Sequence, residues 1–153
     1  MRPFRLTRRY YSEYSAKDLT ALLQTEFGEE WNLYQLAKKK NDTFTFTPSI
    51  GTQIFRYGFL PVVDIDLQET REKPLVTITC RLSLAREIVC YIHLLTIVLL
   101  LIAMLVSGAL FVEMLTIALI LFCFFAILSG DFLLGSVRRR KMFIKELKLT
   151  AVK

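Results

Sequence analysis

Between Ile88 and Gly135 the interleaving of apolar and polar positions seen in the rest of the chain gives way to 48 residues with only two formal charges, Glu113 and Asp131. Ile88 to Val106 is free of charge over 19 residues. As a helix rising about 1.5 Å per residue it covers roughly 28 Å, close to the hydrocarbon thickness of a bilayer. Ser107-Gly108 breaks the run, and a second apolar stretch from Ala109 to Leu128 is interrupted only by Glu113. The pattern predicts a transmembrane helical hairpin with spans at about 88–106 and 109–130.

Upstream, shorter periods take over. Phe4, Leu6, Arg8 and Tyr10 alternate with Arg5, Thr7 and Arg9, the period of a half-buried strand. Ser15 offers an N-cap with Asp18 three residues on, and Leu19, Leu22, Leu23 and Phe27 share one helical face before Gly28 ends it. Trp31 to Lys38 reads as a strand. The polar Lys39-Lys40-Asn41-Asp42 then turns the chain into Thr43-Phe44-Thr45-Phe46-Thr47, whose strict alternation completes a hairpin. Gln53 to Tyr57 is a further candidate, followed by Phe59 to Gln68, with Val63, Ile65 and Leu67 on one face and Asp64, Asp66 and Gln68 on the other. Pro61 limits pairing there because it has no N–H to give. After a charged turn at Thr70 to Pro74, Val76, Ile78, Cys80 and Leu82 form the inward face of a last strand, opposite Thr77, Thr79 and Arg81. That strand leads into the first span at Leu84 to Ile88 with no flexible linker, so the domain is expected to rest against the bilayer surface.

The predicted fold class is therefore that of a membrane protein. A two-helix transmembrane hairpin carries a small cytoplasmic α+β domain, one helix on an antiparallel sheet, and a basic C-terminal amphipathic helix. The parts are residues 1–87, 88–135 and 136–153. In the last part Phe143, Ile144, Leu147 and Ala151 fall at helical spacing among Lys141, Lys145 and Lys148, which suits a helix lying in the membrane interface. A return strand, with Phe143, Lys145, Leu147 and Leu149 alternating, is the competing reading.

Charge refines this picture when it is divided by segment. Residues 1–87 carry 13 Lys/Arg against 11 Asp/Glu, and residues 136–153 carry 7 against 1, so the net +6 and the pI near 9.4 reside in the tail. Basic residues beside a span are retained on the cytoplasmic side and meet anionic headgroups, which accounts for the surplus without a nucleic-acid partner. Arg138, Arg139, Arg140 and Lys141 are accordingly expected to contact lipid headgroups. Together with Arg81 and Arg86 they obey the rule if both termini are cytoplasmic and the Ser107 to Glu113 turn, which lacks Lys and Arg, faces outward. Met1 to Tyr11 is basic and aromatic but is followed by no apolar signal region, so the soluble part is expected to stay where it is made. Cys90 and Cys123 fall inside the spans and Cys80 in a strand, a placement that suits free thiols.

At Phe59-Leu60-Pro61-Val62-Val63, followed by Val76-Thr77-Ile78-Thr79-Cys80-Arg81-Leu82 and at once by an apolar helix, the chain resembles a group of small uncharacterised bacterial two-span membrane proteins. In these a Phe-Leu-Pro-Val-like strand and a strand ending in Arg-Leu precede a transmembrane hairpin. The likeness covers roughly residues 44–105. It implies an α+β cytoplasmic portion, placement in the bacterial inner membrane, and no known activity.

Catalytic chemistry finds few residues to work with. The only histidine, His93, lies inside the first span, out of reach of any soluble Ser, Cys or Thr nucleophile, and none of the six glycines sits in a phosphate-loop setting. No enzyme activity and no cofactor is expected. Asp64 and Asp66 share a strand face, but without further ligands they read as a solvated surface. His93 stands out because an ionisable residue inside a span is costly and often functional. Counting outward from a turn near Leu110 sets Ile127 level with His93 and Asp131 about one turn nearer the cytoplasm, so His93 and Asp131 are the candidate intramembrane pair. Cys90 and Cys123 are near in the same count, yet a metal site lacks a fourth ligand and a spacing motif. The expected function is a non-enzymatic, membrane-anchored interaction or accessory module that contacts the bilayer and a protein partner or a second copy. The alternative is a subunit of an oligomeric channel, transporter or pore-forming assembly, with hairpins gathered around His93 and Asp131.

Overall fold

The computed structural model describes residues 4–25, 34–48, 60–70, 73–107 and 111–152. Their alternating segments form one six-stranded antiparallel sheet: β1 (Arg5–Ser12), β2 (Tyr34–Lys40), β3 (Thr43–Pro48), β4 (Val62–Gln68), β5 (Leu75–Arg81) and β6 (Leu149–Ala151), in spatial order β2-β3-β4-β5-β1-β6. Three helices accompany it among the described residues: α1 (Ala16–Thr25), α2 (Leu84–Ser107) and α3 (Phe111–Glu146). The expected helix stop at Phe27-Gly28, the strand start at Trp31, the strand at Gln53 to Tyr57, Phe59 and the hairpin break at Gly108 lie outside the described residues.

Local chemistry explains the elements. β2 and β3 are joined by the two residues Asn41-Asp42, with Lys40 paired to Thr43, and Asn41 adopts a φ of 51°. Asparagine tolerates that left-handed conformation, and such a two-residue turn matches the twist of its strands. Lys39 and Lys40 therefore belong to β2 rather than to the turn. At the start of α1 the Asp18 N–H donates to Ser15 Oγ at 3.2 Å while the Ser15 hydroxyl donates to the Asp18 carboxylate at 2.6 Å, a reciprocal cap.

The period of two turns Phe44, Phe46, Val63, Ile65, Val76 and Ile78 to one face, where all are fully buried. Two helices close that face: α1 through Leu19 and Leu23, and the last turns of α3 through Phe143 and, just beyond it, Leu147. The Phe46 and Phe143 rings stand 5.6 Å apart. Each such side chain contributes about 1.5–3 kcal/mol on burial, so α3 is as much a part of this core as any strand.

This corrects the expectation of a separate interfacial helix at the C-terminus. Residues 142–146 are the end of α3, and Phe143 and Leu147 turn to the sheet rather than to lipid. A helix of 36 residues is about 54 Å long, well beyond the roughly 30 Å a bilayer core requires. Nothing between Gly135 and Glu146 breaks it. Lys148, at φ 47°, ends the helical path, its N–H donating to the Lys145 carbonyl at 3.3 Å, and β6 then pairs with Tyr10 to Ser12. The competing return strand through Phe143, Lys145, Leu147 and Leu149 is not formed either: residues 143–146 are helical, and the strand that pairs with β1 is Leu149–Ala151.

α2 and α3 meet along a seam that repeats every 3.5 residues. Arg86, Cys90, His93, Ile97, Leu100 and Met104 on α2, and Met114, Ala118, Leu121, Phe125, Leu128, Phe132, Gly135 and Arg139 on α3, are buried or half-buried at alternating steps of four and three. That is the spacing of left-handed coiled-coil packing. Outside the seam many large apolar side chains are exposed, including Leu95, Leu99, Ile102, Ile120, Phe122 and Ile127. Both helices are long and apolar enough to cross a membrane.

Candidate functional site

The alternation that buries Phe44 and Ile65 turns their neighbours to the opposite face, which no described element covers. Register assembles that face into rows. Lys38, Thr45, Asp64, Thr79 and Thr7 lie side by side across five strands, and Lys40, Thr43, Asp66, Thr77 and Arg9 form the next row. Together with Arg5, Gln68 and Arg81 they line a polar trough of about 640 Å³.

Hydrogen bonding divides the charges of the trough into two kinds. Asp64 accepts from Arg81 Nε at 2.6 Å and Nη2 at 3.4 Å and from the Thr45 hydroxyl at 2.8 Å; Asp66 accepts from the Thr43 hydroxyl at 2.9 Å and Gln68 Nε2 at 3.4 Å. Both carboxylates are therefore engaged inside the sheet. Thr7 and Thr79 hydroxyls share a bond of 3.1 Å. The side chains of Arg5 and Arg9 on one flank and of Lys38 and Lys40 on the other have no hydrogen bond or ion pair among the described residues. Four strand spacings, about 19 Å, separate the two basic flanks. Among the described residues no group of three or more acidic, His or Cys side chains is placed to hold a metal ion.

A second constellation ties the sheet to the helices. Leu60 and Pro61, buried just ahead of β4, are held from both helices at once. Arg86 of α2 donates from Nη1 to the Leu60 carbonyl at 2.8 Å, and Gly135 of α3 faces the Pro61 ring, where an added Cβ would stand 3.5 Å from Cδ. Tyr34 donates its hydroxyl to the Pro61 carbonyl at 2.7 Å, and the Arg139 guanidinium of α3 lies 5.2 Å from the centre of the Tyr34 ring. Cys80 Sγ approaches the Ser136 carbonyl at 3.8 Å. Burial pushes the Cys80 thiol up to about 11, against the opposing pull of Arg140, and burial also raises Tyr34. A buried thiol held neutral at physiological pH is a weak nucleophile, and Cys80 packs in the core beside Ser136.

The residues singled out from sequence are placed differently from one another. His93 sits in the α2–α3 seam with its ring 5.4 Å from that of Phe124, while Asp131 is exposed, and no hydrogen bond or ion pair joins the two. The expected pair is not formed because Phe124, not Ile127, lies beside His93, which carries Asp131 further along the hairpin. Thr96 and Thr116 bond back to the carbonyls of Ile92 and Val112 in their own helices. Of the four expected headgroup contacts, Arg138 and Lys141 are exposed and Arg140 is half-buried, but Arg139 is only 8% exposed and turns into the protein against Tyr34.

Tyr34, Arg86 as an anchor, and the basic flanks Arg5, Arg9, Lys38 and Lys40 were not anticipated. The alternation of Thr with Phe in β3 and of Asp with Val, Ile and Leu in β4 was a signal for a polar face, but only strand order reveals which basic residues border it. Comparison of the chain with protein-family models, curated proteins and solved structures finds no match in any of the three.

Proposed function

We propose that the chain is a non-enzymatic, membrane-anchored interaction module. In this reading α2 and α3 cross the cell membrane, both flanks are cytoplasmic, and the sheet displays its polar face to a protein partner. The asymmetry of the sheet carries the reading: one face is closed by α1 and α3, whereas the other is a polar trough that no described element covers, whose carboxylates are internally satisfied and whose flanking cationic side chains have no partner among the described residues. The clamp on Leu60 and Pro61 supports it further, because two helices gripping one segment fix the direction in which that face points. Arg138 and Lys141, exposed beside the end of the apolar stretch, suit anionic headgroups at about 1 kcal/mol each.

Cross-linking in native membranes tests the proposal. Adducts between this chain and a different protein are expected. A ladder of homo-oligomers joined through the hairpin would favour a channel or pore subunit instead. For the orientation, alkaline phosphatase fused after Lys153 should be inactive; periplasmic activity would overturn the cytoplasmic placement.

A further inference from the structure

One row of the polar face reads the same from either end. Across the strands from β2 to β1, register sets Lys40, Thr43, Asp66, Thr77 and Arg9 side by side: a cation, a threonine, a carboxylate, a threonine and a cation. At about 4.8 Å per strand the carboxylate stands about 9.6 Å from each cation, and the cations about 19 Å from one another. All five side chains line the trough, and Lys40 and Arg9 are exposed. The three charges have no ionic partner among the described residues. Asp66 accepts from the Thr43 hydroxyl and Gln68 Nε2, whereas Asp64 in the next row is neutralised by Arg81.

We propose that this row receives a segment of a partner protein in the polyproline II conformation, with acidic residues at positions i and i+6 and a lysine or arginine at i+3. The proposal rests on the interaction-module reading and names the partner's chemistry. Polyproline II has three residues per turn and rises about 3.1 Å per residue, so i, i+3 and i+6 share one face at intervals of about 9.3 Å. Those intervals match the row. Such a segment has no internal hydrogen bonds, which leaves its carbonyls free to accept from the Thr77 hydroxyl. A β-strand fits less well because the residue three along points to the opposite face. An α-helix brings residues back to one face at i+7 and i+14, about 10.5 and 21 Å along, and overshoots.

The central carboxylate selects the class of occupant. A nucleic-acid strand carries a charge about every 3.4 Å of its axis and sets one against Asp66. A lipid phosphate is a single anion, which engages one end of the row and leaves the other. The 153 residues of a second copy contain no pair of acids six positions apart with Lys or Arg midway, so the segment belongs to a different protein.

The test uses the full chain in nanodiscs of uncharged lipid and fluorescent peptides with blocked ends. Glu-Pro-Pro-Lys-Pro-Pro-Glu is expected to bind about threefold more tightly than Glu-Lys-Pro-Pro-Pro-Pro-Glu, which has the same composition with the cation displaced. It should bind about tenfold more tightly than Glu-Pro-Pro-Glu-Pro-Pro-Glu, which replaces an attraction to Asp66 by a repulsion. Asp66→Asn, whose amide oxygen still accepts from Thr43, should erase or reverse that last preference. Arg9→Gln and Lys40→Gln should each weaken binding of the lysine-centred peptide about threefold, alike because the row is symmetric. These changes are at the surface, and thermal unfolding within a few degrees of the parent checks that each variant is folded. A loss confined to one end of the row would mean a single-anion site such as a lipid phosphate takes. Equal binding of the lysine-centred and glutamate-centred peptides would mean bulk charge, and dimers that the peptide dissociates would make a second copy the occupant. Each of these overturns the proposal, as does no binding of any peptide up to about 1 mM. The module reading is decided separately by the native-membrane cross-linking.

Discussion

The two faces of the sheet are built from the same strands and have opposite fates. On one, Phe44, Phe46, Val63, Ile65, Val76 and Ile78 are sealed beneath α1 and α3; on the other, Lys38, Thr45, Asp64, Thr79 and Thr7 stand in a row that nothing described covers. The difference teaches where stability and recognition are separated. Substitutions on the closed face should act on folding, and substitutions on the open face on binding.

The largest break in that comparison is Phe143→Ala. It removes a fully buried ring that joins α3 to the sheet, and a loss of about 3–5 kcal/mol is expected in chemical denaturation of the detergent-solubilised protein. A cost below 1 kcal/mol would mean that the end of α3 is not part of the core. Next comes Tyr34→Phe, which leaves the Pro61 carbonyl without its 2.7 Å donor in a buried setting and should cost about 1–3 kcal/mol. Asp64→Ala, on the open face, severs the Arg81 pair, whose side chains are 35% and 21% exposed; screening by solvent limits the effect to about 1 kcal/mol, diminishing with added salt. An open-face loss as large as that of Phe143→Ala would erase the distinction between the faces.

The smallest effect at neutral pH is that of Cys80. Its folded-state pKa of about 11 lies above the ordinary value of 9.0, so the folded protein holds the proton more tightly. Below pH 9 both states carry that proton and nothing changes. Between pH 9 and 11 the unfolded chain releases it first, and stability falls as pH rises through that window. Tyr34, also raised, adds to the same alkaline slope. Denaturation midpoints measured against pH should therefore fall less steeply above pH 9 in Cys80→Ala than in the parent, without becoming flat. Identical slopes would show that the thiol is not buried beside Ser136.

Much of this was legible in the sequence because local rules agreed with burial. Strict alternation marked the faces of β3, β4 and β5, the Ser15–Asp18 cap marked α1, and the long apolar run marked α2 and most of α3. What stayed hidden depends on long-range pairing. Nothing local to Arg5, Thr7 and Arg9 says that β1 lies between β5 and β6, so their place beside the Asp64 and Asp66 rows was out of reach. Likewise the uniform apolarity of the hairpin concealed its register, and a shift from Ile127 to Phe124 beside His93 dissolved the expected pair with Asp131. From sequence the basic tail reads as a lipid-facing helix because Lys141, Lys145 and Lys148 suit either setting; the seam running on through Phe132, Gly135 and Arg139 toward Phe143 is what carries α3 onto the sheet.

The central claim is that the open face recognises and the hairpin anchors. Photo-reactive residues placed one at a time at Thr77 on the open face, Ala21 on the outer side of α1 and Ile127 on the outside of the hairpin would test it in native membranes. The account predicts adducts with a different protein from Thr77 and none from Ala21 or Ile127; adducts with a second copy from Ile127, with Thr77 silent, would contradict it.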